Sequence, residues 1–314
     1  MLHTRFTELF GLDHPLMSAP MAMHSGGTLA AAVSSAGALG SFGGISQGGP
    51  GWITEQAELV RSRTDRPFAI GFITTFLPGM APLFDAALAA RPDVVALSFG
   101  DPRPWVDQVR DAGARLICQV QSVDDADVAV EAGTDVLAVQ GTEAGGHTGT
   151  MTLLPLLSAV ASRHPSVPLL AAGAIGDGRG LAGALVAGAD GAWLGTAFLA
   201  TNEAIEIDDD YRRAIVESNG ADTLFTRVFD IASRAPWPDG IGARMRRDAF
   251  TDEWADREAE LRDTLDTLPP PPRPLYYGQS AAFINGVRSA DDVVQSISAD
   301  AERVLRERPA SLLS

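Results

Sequence analysis

Eight short, continuously apolar runs punctuate the chain, at 16–20, 39–42, 68–73, 93–98, 115–120, 135–140, 168–172 and 190–194. They do not alternate apolar with polar, as expected of strands covered on both faces in a parallel sheet. Helical patterns, often rich in alanine, fill the intervals near 26–36, 52–62, 80–90, 103–112, 123–132, 152–162 and 178–188. Four helical patterns end in Ala-Gly directly before an apolar run, at Ala36-Gly37, Ala112-Gly113, Ala132-Gly133 and Ala187-Gly188. Glycine there suits the left-handed residue that stops a helix. Strand–helix alternation predicts a parallel α/β architecture, and eight strands within residues 16–194 predict a closed (β/α)8 TIM barrel. A doubly wound open sheet is the rival.

The pattern changes after the eighth run. Residues 205–270 carry charged, helix-like stretches, and the proline-rich segment 269–274 reads as a stiff extended connector. The expected organisation is a barrel over 1–204, a helical insertion or lid over 205–274, and a C-terminal segment over 275–314 that completes the barrel. A separate small domain at 205–274 is the alternative, with little core of its own.

Composition narrows the chemistry. The formal net charge of −16 repels a phosphate backbone, so no nucleic-acid partner is expected. All 24 basic side chains are arginine, and without lysine neither Schiff-base chemistry nor a P-loop is available. The single cysteine, Cys118, excludes a disulfide framework and a cysteine-based zinc site within one chain; inside an apolar strand, it reads as core. The first fifteen residues do not read as a signal peptide, and no run is long enough to span a bilayer. A cytoplasmic protein without a membrane partner is expected.

In a barrel the chemistry sits on loops after the strands. After the seventh strand comes Gly173-Ala174-Ile175-Gly176-Asp177-Gly178-Arg179-Gly180, and after the eighth Leu194-Gly195-Thr196-Ala197. Small residues on these two loops let backbone N–H groups approach a phosphate, with Thr196 adding a hydroxyl. Arg179 reads equally as a phosphate partner or a solvated side chain. The glycine-rich stretch lacks the surroundings of a Rossmann unit. After the sixth strand, Gln140-Gly141-Thr142-Glu143-Ala144-Gly145-Gly146-His147-Thr148-Gly149 brings a histidine next to two glycines. Gly145 and Gly146 let backbone pass close to a flat ligand, and His147 can exchange a proton near neutral pH. Glu143 orients the loop or is solvated. After the first strand, Pro20 stiffens the turn and Met21 offers soft apolar surface for a ring; Met23 reads as ordinary loop packing. Of the remaining histidines only His24 competes with His147. No HExxH, paired-histidine metal spacing or GxSxG occurs.

LMSAPMAMHSGGTLAAAVSSAGALGSFGG, VQGTEAGGHTG and AAGAIGDGRGLAGALVAGADGAWLGTAFLAT together resemble the nitronate monooxygenases, over most of residues 14–203 and weakly again at Tyr277-Gly278-Gln279-Ser280. The resemblance implies a TIM barrel with non-covalent FMN that oxidises alkyl nitronates, with oxygen as final acceptor. It implies Ala19, Pro20 and Met21 against the flavin ring and Gln140 and Gly145 beside it, with Gly146 and Ala174 on the same two loops. It implies Gly173, Gly195 and Thr196 at the ribityl phosphate, and His147 as base or anion stabiliser. Two positions depart from the family pattern: Gly71 stands where asparagine is usual, and Trp193 where glutamine is usual. Both belong to the expected flavin surround. The resemblance leaves two other readings open: an NAD(P)H-dependent flavin reductase acting on a quinone or enoyl thioester, and a non-catalytic flavin or phosphate-ligand binder.

Overall fold

The computed structural model describes residues 2–313. Its strands are β1 (Leu16–Ser18), β2 (Gly40–Gly43), β3 (Phe68–Ile73), β4 (Val94–Ser98), β5 (Arg115–Val120), β6 (Val136–Gln140), β7 (Gly146–Thr148), β8 (Leu169–Ala172), β9 (Gly191–Leu194), β10 (Thr223–Thr226) and β11 (Gly242–Arg246). β1–β6, β8 and β9 form one parallel sheet in the order β1-β9-β8-β6-β5-β4-β3-β2. A parallel bridge between Met17 and Leu39 joins the two ends. There the Ser18 N–H donates to the Leu39 carbonyl at 3.0 Å, and the Leu39 N–H to the Leu16 carbonyl at 2.9 Å. The ring is thus the expected eight-stranded TIM barrel, with strands within two residues of the apolar runs.

The helices are α1 (Arg5–Phe10), α2 (Gly27–Ser35), α3 (Gly49–Arg63), α4 (Ala81–Ala89), α5 (Val106–Asp111), α6 (Val123–Ala132), α7 (Leu153–Arg163), α8 (Gly178–Val186), α9 (Thr196–Leu199), α10 (Asp209–Glu217), α11 (Val228–Ser233), α12 (Ala249–Trp254), α13 (Glu258–Thr264) and α14 (Ala290–Leu312). Gly37, Gly113, Gly133 and Gly188, the glycines of the four Ala-Gly stops, all have φ between +80° and +107°. A β-carbon is strained in that conformation, so the glycines end the helices and turn the chain into the next strand.

Two apolar layers position the site. Inside the ring, Met17, Leu39, Ala69, Ala96, Ile117, Ala138, Leu170 and Trp193 pack together, and Phe6 of α1 and Leu12 join the same cluster. Outside it, residues such as Leu29, Val33, Leu157, Leu181 and Val294 bury the helix faces against the strands. α14 packs against both α8 and α2, on the outer face of the barrel. Cys118 is buried in this outer layer, and burial pushes its thiol up to about 12. Among the described residues no helix is long and apolar enough to cross a membrane.

Beyond the helices expected in residues 205–274, the stretch carries β10 and β11. These pair antiparallel with each other, and β11 pairs antiparallel with β7 of the loop after β6. Val228, Phe229, Ile231, Ala243, Met245, Trp254 and Leu261 form a small core there. The chain across Pro269–Pro274 takes neither helix nor strand.

Candidate active site

The barrel strands end at a cavity of about 390 Å³, a size suited to a small molecule or cofactor. Of the residues expected there, Ala19, Pro20, Met21, Gly71, Gln140, Gly145, Gly146, His147, Gly173, Trp193, Gly195 and Thr196 all line it. Ala174 is not among the lining residues; its backbone is in a left-handed conformation, φ +56°. The lining includes no Asp, Glu, Lys or Arg side chain, although the chain as a whole is strongly acidic.

One end of the cavity carries unused donors, at its lining residues Ile175 and Gly195 and at their off-wall neighbours Ala174 and Gly176. The backbone N–H groups of Ala174, Ile175, Gly176 and Gly195 make no hydrogen bond to any described residue. Buried or half-buried amides rarely go unpaired, so this end is built for an anion or for ordered water. The N-terminus of α8 adds little to this set of donors. Asp177 caps it, accepting from the Gly180 N–H at 2.8 Å, so its first turn already has an acceptor. Arg179 is exposed and off the cavity wall, which matches the solvated reading. The Thr196 oxygen accepts from the Gly278 N–H at 3.0 Å, which leaves its hydroxyl proton free to donate.

The floor is apolar. Trp193 is 5% exposed within the barrel's inner layer. A β-carbon on Gly71 would overlap the Pro20 ring, so glycine here is the partner of a proline packed across it. Gly145 is tight for a different reason than a ligand's approach: a β-carbon there would overlap the backbone of Tyr277 and Gly278. The glycine lets the C-terminal segment dock on the loop after β6.

That loop is fixed from several sides. The Gln140 side chain accepts from Gln121 at 2.9 Å and donates to the His147 carbonyl at 3.1 Å. The Glu143 carboxylate accepts the Leu153 N–H at 3.0 Å at the start of α7, so it orients the loop. Arg244 of β11, buried, donates from Nε to the Thr142 carbonyl at 2.7 Å and from Nη1 to the Thr223 hydroxyl at 3.2 Å. Burial lowers the Arg244 pKa from its ordinary value.

His147 sits in β7, paired with Ala243 of β11. Its Nε2 lies 2.9 Å from Oδ1 of Asp230 in α11. Its ring stacks on Trp237 with centroids 3.6 Å apart and planes 16° from parallel. Tyr276 tilts against it at 5.9 Å. Burial, with the charge of Asp230, raises the Tyr276 hydroxyl above its ordinary value, so it remains a neutral donor. Trp237 also meets Phe76 and Phe99 edge-on at 5.0 and 5.3 Å, which extends an aromatic wall along the cavity mouth. His24, also on the wall, packs edge-on against Tyr211, and burial lowers its pKa.

Asp230, Trp237, Tyr276 and Phe99 were not among the residues expected from sequence. Asp230 lies 83 positions from His147 in a stretch with no motif, and the pairing of β7 with β11 that joins them has no signature in either segment. Phe99 has φ +62° and Met23 φ +66°; with Ala174 these left-handed non-glycine residues stand on the loops after β4, β1 and β8. Each costs about 1–3 kcal/mol, a strain typical of functional loops.

Comparison with known proteins fits this geometry. The family model for nitronate monooxygenases matches residues 3–83 and 83–239. A nitronate monooxygenase of Paraburkholderia phytofirmans is 34% identical, over 79% of this chain and 77% of that protein. FabK from Thermotoga maritima superposes with a TM-score of 0.84 at 28% identity, over 99% of this chain and all of that one. The nitroalkane oxidase of Streptomyces ansochromogenes superposes at 0.79 and 28% identity, over 98% of this chain and 99% of that one. On the match over most of its length, the chain belongs to the nitronate monooxygenase family, a family of oxidoreductase enzymes.

Proposed function

We propose that the cavity holds FMN and that the enzyme oxidises small alkyl nitronates, or the parent nitroalkanes, to a carbonyl compound and nitrite with oxygen as acceptor. One observation carries the reading. A single apolar cavity has unpaired backbone amides at one end and a clamped imidazole on its wall, the arrangement that a flat ring with a phosphate tail requires. The similarity to a nitronate monooxygenase and to a nitroalkane oxidase supports the substrate class.

The residues fit the group. The amides of Ala174, Ile175, Gly176 and Gly195, with the Thr196 hydroxyl, would hold the phosphate, so Ala174 contributes through its backbone without lining the wall. Ala19, Pro20, Met21, Gly71 and Trp193 would form the apolar surface for the ring, with Gln140, Gly145, Gly146 and Gly173 along its edge. FMN, when bound, supplies the electron acceptor and the reactivity with oxygen.

The chain's own residues do the rest. His147 takes the α-proton from a nitroalkane, or as its cation faces the oxygens of a nitronate already formed. Phe99, Trp237, Tyr276 and Met23 make the substrate space apolar, which excludes water and strengthens the field of the imidazole.

The test is spectroscopic. The purified protein should be yellow and release FMN on denaturation, and without air a nitronate should bleach it. Readmitted oxygen should restore the colour while nitrite accumulates. A colourless protein whose spectrum ignores added FMN, or a bound flavin that NADH bleaches and nitronate does not, would contradict the proposal.

A further inference from the structure

We infer that Asp230 is the positioning residue for His147, and that by accepting the Nε2 proton it makes Nδ1 the atom that meets the substrate. The inference rests on the reading of His147 as the group acting on a nitroalkane or nitronate. Asp230 was absent from that reading, and it lies in the stretch between the eighth barrel strand and the C-terminal helix.

A carboxylate only accepts, so an imidazole nitrogen 2.9 Å from Asp230 Oδ1 carries the proton. In the neutral ring this leaves the lone pair on Nδ1. Nδ1 makes no hydrogen bond to any described residue, yet it is not among the buried atoms left without a partner. His147 lines the cavity, and with Nε2 held by Asp230, Nδ1 is the ring nitrogen left to meet a ligand there. The ring cannot readily rotate to exchange its nitrogens. Trp237 is stacked on one face, and the backbone on either side is fixed by pairing with β11 and by the Gln140 hydrogen bond.

The environment of Asp230 agrees. It is 7% exposed, and its second oxygen, Oδ2, is buried with no partner. A buried carboxylate answered by one hydrogen bond is costly as structure alone, because its other lone pairs lose water without replacement. It gains most when the group it faces becomes a cation. In the proton transfer, the Nδ1 lone pair takes the α-hydrogen of the nitroalkane. The C–H electron pair moves onto the nitro group, giving the nitronate, and the new positive charge rests on a ring already paired with Asp230. With a nitronate as substrate, the same pairing favours an imidazolium whose Nδ1–H donates to a nitronate oxygen. In both cases Nδ1 is the working atom and Asp230 touches no substrate.

The 15N chemical shifts of the neutral His147 ring, followed in a pH series, read the tautomer without any turnover. In the native enzyme Nε2 should be protonated and Nδ1 bare. Asp230→Asn can turn its amide donor toward Nε2 and move the proton to Nδ1, so the shifts should exchange and kcat/KM for nitroalkane should fall by roughly 10²-fold or more. Asp230→Glu should retain the native tautomer and much of the activity. His147→Asn alone and the double variant should lose activity equally, because Asp230 acts only through the imidazole. A native ring protonated on Nδ1, unchanged shifts in Asp230→Asn, or a further loss in the double variant would overturn the inference. The native shifts decide it even if a variant fails to fold. A native Nε2–H tautomer in an enzyme that ignores nitroalkanes and nitronates would leave the positioning intact and sink the proposed reaction instead.

Discussion

His147 is the residue on which the proposed chemistry converges, and the protein commits four other groups to holding it: Asp230, Trp237, Tyr276 and, through the backbone, Gln140. Replacing it with alanine should remove a proton-transfer group worth about 10²–10⁴-fold in rate, while the flavin spectrum stays that of the bound cofactor. Nitrite release measured beside the flavin absorbance checks both halves. Gly71 stands where the resemblance to the family leads one to expect asparagine. Gly71→Asn, which restores the usual side chain, should not restore a usual pocket; its β-carbon overlaps Pro20, so the β1 turn must shift. A loss of about 1–3 kcal/mol in stability, with weaker flavin retention, is expected from denaturant melts and ultrafiltration. Two histidines set a pH dependence. Burial lowers the pKa of both His14 and His24 from 6.5 in the folded chain, so the unfolded chain binds their protons more readily. Their contribution to stability is therefore present above about pH 6.5 and lost as the pH falls through the depressed folded values. Thermal melts between pH 7.5 and 5 should show the decline, and His24→Gln should reduce it. Chemistry at the residue scale was unevenly legible. His147 stood out because a Gly-Gly-His loop follows a strand, but Trp237 and Asp230 lie in a charged stretch where nothing distinguishes them from solvated residues.

The element that does most for the site is the loop after β6, pinned on three sides. β11 pairs with it, α7 begins on Glu143, and the backbone of Tyr277 and Gly278 presses on Gly145. Arg244 ties it to β10 through bonds to Thr142 and Thr223. Arg244→Leu should leave a half-buried and a buried acceptor unsatisfied and cost about 1.5–3 kcal/mol, read by calorimetry, with a larger proportional fall in kcat than in flavin content. Elements themselves were largely readable beforehand. Continuous apolar runs marked the eight barrel strands to within two residues, because a parallel strand buried on both faces carries an unambiguous pattern. β7, β10 and β11 were not readable. Each is three to five residues long, too short for a period, and β7 is held by pairing with β11 across about a hundred residues of chain.

At the scale of the molecule, a barrel with its own double apolar layer carries a second, smaller core above the strand ends. The barrel supplies amides and an apolar floor, and the second core supplies the partner and the stacking surface of the histidine. This division explains why the fold and the amide-bearing loops at the strand ends could be anticipated from loops and spacing, while the roof over His147 could not. The central claim is that one cavity grips a flavin phosphate on loop amides and presents its ring to His147. A crystal structure of the enzyme with FMN tests it most directly. The phosphate oxygens should lie within hydrogen-bond distance of the Ala174–Gly176 and Gly195 amides, with the His147 ring facing the isoalloxazine across the substrate space. A phosphate bound elsewhere, or a flavin turned so that Asp230 and Trp237 separate it from the imidazole, would contradict the account.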